Sequence, residues 1–453
     1  MKKVKSKRVV GIVAAALFPV MMMAQPPDSV QAAKHEFSIQ QALEFAKKNN
    51  VQVKNALLDV RIQEQTNRDF TSAAYPQING SFSLVDNVKA PVSLIPAEFF
   101  GGTPGTYEKF PFGIKYNATA GISLDQILFD GQVFVGLQAR KTAIDFSQKN
   151  VEVTEEMIKA NIYKVYYQLV VGKTQIGLLD ANIERLDKLL HDTREIYKNG
   201  FAEKLDVDKV SVQLANLQTE KEKALNQINN GYVGLKLLIG MPVRDWLVLT
   251  DTVSYNQVLE GLPQLTDFKY SDRKEYQYAE LGIELNKFNI KRYKLSRLPT
   301  LSLNAYYNEN AQRPKFNFFN GGEWFPVSAI TLRVNVPIFK GFSTRAKIDK
   351  ATLELQKSIN QRETLKLSID NDIEIARNNF RTSIAALDFQ KKNMDLAIAI
   401  YDQTKKKFES GVGSNLEINT AQTDLKAAQT NYITALYDAI IARIDFLKAT
   451  GKL

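Results

Sequence analysis

Between residues 158 and 190 the apolar positions step by four and three in turn: Ile158, Ile162, Val165, Leu169, Gly172, Ile176, Leu179, Ile183, Leu186 and Leu190. A mean step near 3.5 is the period of a helix whose seam stays against a partner helix. In the second half, Ile369, Ile373, Ala376, Phe380, Ser383, Leu387, Gln390, Met394, Ala397 and Tyr401 keep the same register. Several of these are small or polar, and Ala376, Ser383 and Ala397 permit close helix approach. No proline interrupts Gly131–Lys198 or Gly341–Glu409. Each stretch therefore predicts one helix of roughly 100 Å at about 1.5 Å per residue, far longer than helices of ordinary globular domains.

The glycines that bound these stretches recur at a shift of about 211 positions, a sign of internal duplication. Gly131 answers Gly341, Gly200 answers Gly411, and Gly240 answers Gly451. After each turn a second helix is expected to return, over Leu205–Ile239 and Asn415–Thr450. A further helical segment precedes each unit. The first runs from Ser38, where Gln41 completes a capping-box spacing, towards Ala73; the second covers Asp272–Ser296. Stacked end to end on the returning helices, these segments would match the long ones in length. Residues 25–240 and 271–453 thus read as two repeats, with 241–270 as a mixed connector.

Four short segments change period. Gln77–Leu84, Tyr116–Asp125, Thr300–Ala305 and Ile330–Val336 alternate polar and apolar residues, the signature of strands with one greasy and one wet face. On the last, Ile330, Leu332, Val334 and Val336 would face lipid, with Thr331, Arg333 and Asn335 facing a wet lumen. A sheet packed on a soluble core would alternate in the same way. The loops between the strands favour a membrane, because they hold Phe99, Phe100, Tyr107, Phe110 and Phe112, then Phe316, Phe318, Phe319, Trp324 and Phe325. Aromatic residues in such numbers mark membrane interfaces. Four strands cannot close a barrel and open edges are not tolerated in lipid, so a membrane sheet implies three copies and about twelve strands.

Composition narrows the partners. The formal charge is +10, but Lys2, Lys3, Lys5, Lys7 and Arg8 precede an apolar run, Val9–Phe18, followed by Met21-Met22-Met23-Ala24 and then Gln25-Pro26-Pro27. Residues 1–24 read as a secretory signal peptide, and its removal leaves a charge of about +5, too little to suggest a nucleic-acid partner. No later run is long and apolar enough for a spanning helix. The 453 residues contain no cysteine and two histidines, His35 in the start of the chain and His191 on the long helix, both read as solvated. Thiol chemistry, transition-metal binding and a Ser/His/Asp triad have little to work with, so no enzyme activity and no cofactor are expected.

The order of these parts resembles the TolC-like outer membrane efflux protein family. The resemblance is carried by Ala74-Tyr75-Pro76-Gln77-Ile78 and Arg297-Leu298-Pro299-Thr300-Leu301 between helix and strand. It is carried also by Asp125–Gly131 and Asn335–Gly341 between strand and long helix, and by the turns at Gly200 and Gly411. The fold class implied is mainly α with a small membrane β part. A long coiled-coil-like tunnel and four strands per protomer would form a homotrimer with a barrel of about twelve strands in outer-membrane lipid. The family's function implies an exit duct in the outer membrane, with a helical extension in the periplasm, working with a periplasmic adaptor and an inner-membrane transporter. By the same resemblance Glu417, answered by Asp206, stands where an acid rings the closed aperture, while Thr420 stands where some members carry a second acid. Both acids equally suit helix N-termini. The turns, with Gly200, Phe201, Leu205, Gly411, Val412 and Leu416, are the expected adaptor contact. The competing reading is a periplasmic coiled-coil scaffold or adhesion protein without a pore; a passive porin has no use for the long helices.

Overall fold

A computed structural model describes residues 33–111, 113–260, 268–318 and 320–453. The expected signal peptide at 1–24, Phe112 and Phe319 lie outside them. In chain order the elements are β1 (Lys34–Phe37), α1 (Ile39–Asn49), α2 (Val51–Ser72), β2 (Gln77–Asp86), β3 (Val92–Pro96), β4 (Tyr107–Pro111), β5 (Tyr116–Phe129), α3 (Gly131–Lys198), α4 (Lys204–Ile239) and β6 (Trp246–Leu249). Then follow α5 (Tyr255–Glu260), α6 (Lys274–Leu295), β7 (Thr300–Arg313), β8 (Phe325–Asn335), α7 (Ser343–Glu409) and α8 (Asn415–Ala449).

The two uninterrupted helices are present, α3 with 68 residues and α7 with 67. The heptad register holds on both: every position of the two predicted seams is buried or half-buried. Apolar clusters run down the bundle. Near the tips Leu179, Leu186, Val210, Leu214, Ile418 and Leu425 pack together, each full burial stabilising by about 1.5–3 kcal/mol before entropy is charged. Among them a buried amide chain joins the repeats. Asn182 Nδ2 donates to Gln429 Oε1 at 2.6 Å, and Gln422 Nε2 donates to Asn182 Oδ1 at 3.0 Å. Such a network lowers the number of registers in which α3 and α8 can pair.

The short helices correspond as well. α2 and α6 each have 22 residues, and α4 and α8 have 36 and 35. Ser38 caps α1 with the expected box: its Oγ accepts from Gln41 N–H at 3.4 Å and its own N–H donates to Gln41 Oε1 at 2.9 Å. The first segment is not one helix, however. It breaks at Asn50, whose extended backbone ends α1 and whose Oδ1 accepts from Gln52 and Val53 N–H to start α2. The second long helix also starts at Ser343 rather than Gly341, because Gly341 and Phe342 both take left-handed dihedrals, φ +57° and +62°.

The four alternating segments form one antiparallel sheet in the order β2-β5-β7-β8. All four are longer than the shortest clear alternation in the sequence; β5 and β7 reach 14 residues each. The register aligns like with like. Gln77, Asp125, Asn304 and Thr331 form one row across the sheet, and Ile78, Leu124, Ala305 and Ile330 form the next. One face is therefore polar and the other apolar. On the apolar face Ile330, Leu332 and Val334 are 80, 61 and 59% exposed. At the outer end of that face Phe318 and Trp324 cover Ala118 and Ala311, and Tyr116 meets Phe316 edge-on at 5.8 Å. The aromatic residues of the β7–β8 loop thus sit at the rim of the apolar face. The longer β2–β5 loop folds into its own hairpin, β3 with β4, carrying Phe100 stacked on Phe110 at 5.7 Å.

One further pairing lies outside the expectations. β1 runs parallel to β6, with His35 opposite Leu247. His35 is thus not on a solvated start of the chain: its side chain is 27% exposed, lies 3.4 Å from Asp245 and packs beside Phe37 and Phe45. His191 is exposed, as expected. Among the described residues no helix is long and apolar enough to cross a membrane.

Candidate functional site

The candidate residues cluster at the two helical turns farthest from the sheet. α3 ends in a Schellman arrangement: Gly200 N–H donates to Tyr197 O at 2.9 Å and Phe201 N–H to Ile196 O at 3.1 Å. α7 ends likewise, with Gly411 N–H to Phe408 O at 3.0 Å and Val412 N–H to Lys407 O at 3.1 Å. The motif needs a left-handed residue, and Gly200 and Gly411 supply it at φ +81° and +78°. A Cβ at either would meet no atom within 4 Å, so backbone conformation rather than crowding calls for glycine.

In this motif the residue after the glycine ordinarily packs back on the helix. Here it does not: Phe201 is 86% exposed and Val412 83%. Leu205 and Leu416, each the second residue of its returning helix, are 56 and 75% exposed. Four large apolar side chains thus project from the tips.

α4 and α8 start side by side, and between them lies a groove of about 600 Å³. Its walls include Leu205, Asp206, Asp208, Leu416, Thr420 and Asp424. Leu205, Asp206 and Leu416 are therefore brought together. Glu417 does not line the groove; it stands exposed on the next stripe of α8, with its own N–H held by Ser414 Oγ at 3.2 Å. Asp206 closes a capping box, accepting from Glu203 N–H at 3.4 Å. The two acids thus match in sequence register but differ in surroundings. Asp208 and Asp424 were not singled out from the sequence. Asp424 lies four residues after Thr420, one turn along the groove-facing stripe Leu416, Thr420, Asp424, and that spacing was the available signal.

These features define a chain built of two repeats, each with a pair of strands at one end and a helical hairpin at the other. Comparison with known proteins agrees with that description. The family profile described as Outer membrane efflux protein matches residues 273–452, the second repeat. The Outer membrane protein TolC of Vibrio cholerae is 20% identical over 336 residues, which are 74% of this chain and 77% of that protein. The Outer membrane efflux protein BepC of Brucella suis is 22% identical over 428 residues, 93% of this chain and 87% of that protein. The fold of VceC from Vibrio cholerae matches with a TM-score of 0.70 at 15% identity, over 91% of this chain and 96% of that one. CusC matches with a TM-score of 0.74 at 16% identity, over 96% of this chain and 98% of that one. The second repeat thus matches the outer membrane efflux protein profile, and the chain as a whole is similar to TolC-like outer membrane efflux proteins in sequence and in fold.

Proposed function

We propose that this chain is one protomer of an outer-membrane exit duct of an efflux or secretion system. Three copies join their four-stranded sheets into a barrel of about twelve strands, and their helices into a tunnel of roughly 100 Å below it. The observation that carries this reading is the two-faced sheet with two unpaired edges, β2 and β8. Lipid does not tolerate unpaired edges, and further copies satisfy them. A second feature supports it: Leu353, Leu367, Phe389 and Leu396 on α7 are 71, 72, 68 and 60% exposed. These residues lie near multiples of seven, the spacing of a seam that lacks its partner helix.

On this reading residues 1–24 are a leader, 25–240 and 271–453 are the two repeats, and 241–270 is the equatorial connector. A periplasmic adaptor engages Phe201, Val412, Leu205 and Leu416 at the tips, and an inner-membrane transporter supplies the energy. Glu417 and Asp206, with Asp208 and Asp424 beside them, place carboxylates around the closed aperture, a ring that draws cations.

Planar-bilayer recording on the mature protein tests the pore, with Glu417→Ala beside the parent chain. Small cation-favouring steps that change on substitution support pore and gate together. Unchanged steps move the gate away from Glu417, and absence of steps from an inserted trimer, even with the adaptor added, returns the reading to a pore-less scaffold. Gly200→Asp and Gly411→Asp test the tips: adaptor co-purification that survives both removes the docking assignment.

A further inference from the structure

Where α3 passes α8, well away from the tips, the chain encloses a cleft of about 800 Å³. Its walls come from distant parts of the chain: the start of α1, one stripe of α3, residues 250–253 after β6, one stripe of α8, and residues 452–453. The α3 stripe is Lys159, Tyr163 and Tyr167, at helical steps of four; the α8 stripe holds Ile440, Arg443 and Ile444. Tyr163 and Tyr167 lie nearly parallel, ring centroids 6.2 Å apart at 10°.

The side-chain charges in this cleft do not balance. Arg443 is half-buried and makes no ion pair or hydrogen bond among the described residues. Its neighbours one turn away on α8, Ala439, Ile440, Phe446 and Leu447, are all apolar. Lys159 also lacks an ion pair among the described residues, although Glu155 and Glu156 lie one turn before it on its helix. The acidic side chain that lines the cleft, Asp251, already accepts from Ile39 N–H at 2.9 Å. The pairing of Lys164 with Asp445 at 2.6 Å fixes the register of the two antiparallel helices, so Arg443 lies level with Tyr167 and Lys159 lies about 12 Å further along.

We propose that this cleft binds an organic anion with an aromatic or branched apolar body. Arg443 receives the sulfonate, carboxylate or phosphate head; Tyr163, Tyr167 and Ile444 take the body; and Lys159 adds long-range attraction. A guanidinium in a half-dry site is the stronger anchor because its flat fork matches an oxyanion and loses little water. The site is complete within one chain and does not rest on the channel reading.

Naphthalene-2-sulfonate, titrated calorimetrically into the intact protein in nanodiscs of neutral phospholipid, tests this. One saturable site per chain is expected. Arg443→Gln weakens it roughly tenfold and Lys159→Gln roughly threefold, while Lys188→Gln, near the tip, leaves it unchanged. Arg443→Lys recovers part of the affinity, which separates loss of the anchor from loss of folding. Ile444→Trp fills the cleft and abolishes binding. Absence of saturable binding, equal binding of neutral 2-naphthalenemethanol, or an Arg443→Gln affinity like that of the parent overturns the proposal.

Discussion

Asn50 Nδ2 donates to the carbonyl of Leu238 at 2.7 Å, and Arg273 Nη1 donates to the carbonyl of Ala449 at 3.0 Å. Leu238 and Ala449 are equivalent positions of the two repeats. Each is a late carbonyl of a returning helix, and each donor is the residue before a 22-residue helix. Beside each bond a left-handed glycine presses on the same backbone: Gly240 against Asn49 and Asn50, Gly451 against Asp272 and Arg273. An amide and a guanidinium thus close the same joint, stacking α2 on α4 and α6 on α8.

Loss of the Asn50 side chain removes two cap bonds and leaves the Leu238 carbonyl unpaired, at a position where Asn50 itself is only 5% exposed. Asn50→Ala is expected to cost about 1–3 kcal/mol. Asn50→Asp keeps the cap acceptor and loses only the donor, so its melting temperature falls between those of Asn50→Ala and the parent. A thermal unfolding series with all three proteins checks the order.

Two left-handed glycines separate conformation from crowding. Gly200→Ala meets open space and costs about 1 kcal/mol for its dihedrals alone. Gly240→Ala adds a Cβ that would lie 2.4 Å from Asn49 O, so the joint itself must shift. Gly240→Ala is expected to lower the melting temperature clearly more than Gly200→Ala does; equal losses would show that the joint yields freely.

Two carboxyl groups near Arg273 respond oppositely to pH. Burial, then the charge of Glu275, raises the Glu156 pKa. An acid with a raised folded pKa stabilises the fold when protonated, and that gain is lost as pH rises through the folded value. Glu156→Gln is therefore expected to melt higher than the parent near pH 8, with the gap closing as pH falls into the carboxylate range. Glu275 is pulled up by burial, but the Arg273 hydrogen bond and charge outweigh this and leave its pKa lowered. Its contribution is present at neutral pH and lost as pH falls through the lowered value, so Glu275→Gln melts lower near pH 7 and converges with the parent in acid. Melting curves of both variants across pH 4–8 check the signs.

Exposed tip residues carry little of the fold. The double substitution Phe201→Ser, Val412→Ser is expected to change stability by less than about 0.5 kcal/mol while abolishing adaptor co-purification. A clearly lowered melting temperature, or unchanged co-purification, contradicts the assignment.

Much of this was written in one-dimensional periods. The seams from Ile158 to Leu190 and from Ile369 to Tyr401 were legible because burial follows a helical period regardless of what covers it. The four sheet strands were legible for the same reason at period two. The break at Asn50 was not, because Asn49-Asn50 lies between helix-forming residues with no glycine or proline to mark it. β1 was missed because four mixed residues show no period and their partner β6 lies some 212 positions away. The surroundings of Asp206 and Glu417 depend on how α4 and α8 rotate about their axes, which a register in one chain does not encode. The joint made by Asn50 and again by Arg273 was hidden because two unlike side chains satisfy the same carbonyl.

The two joints also set a scale of leverage. Beyond Gly240, α4 extends for 36 residues, about 54 Å, to the tip. A tilt of about 5° at such a pivot carries the far end through about 5 Å, close to one helical turn. A sub-ångström adjustment around the carbonyls of Leu238 and Ala449 is thereby magnified, before it reaches Phe201 and Val412, into a displacement the width of a small molecule.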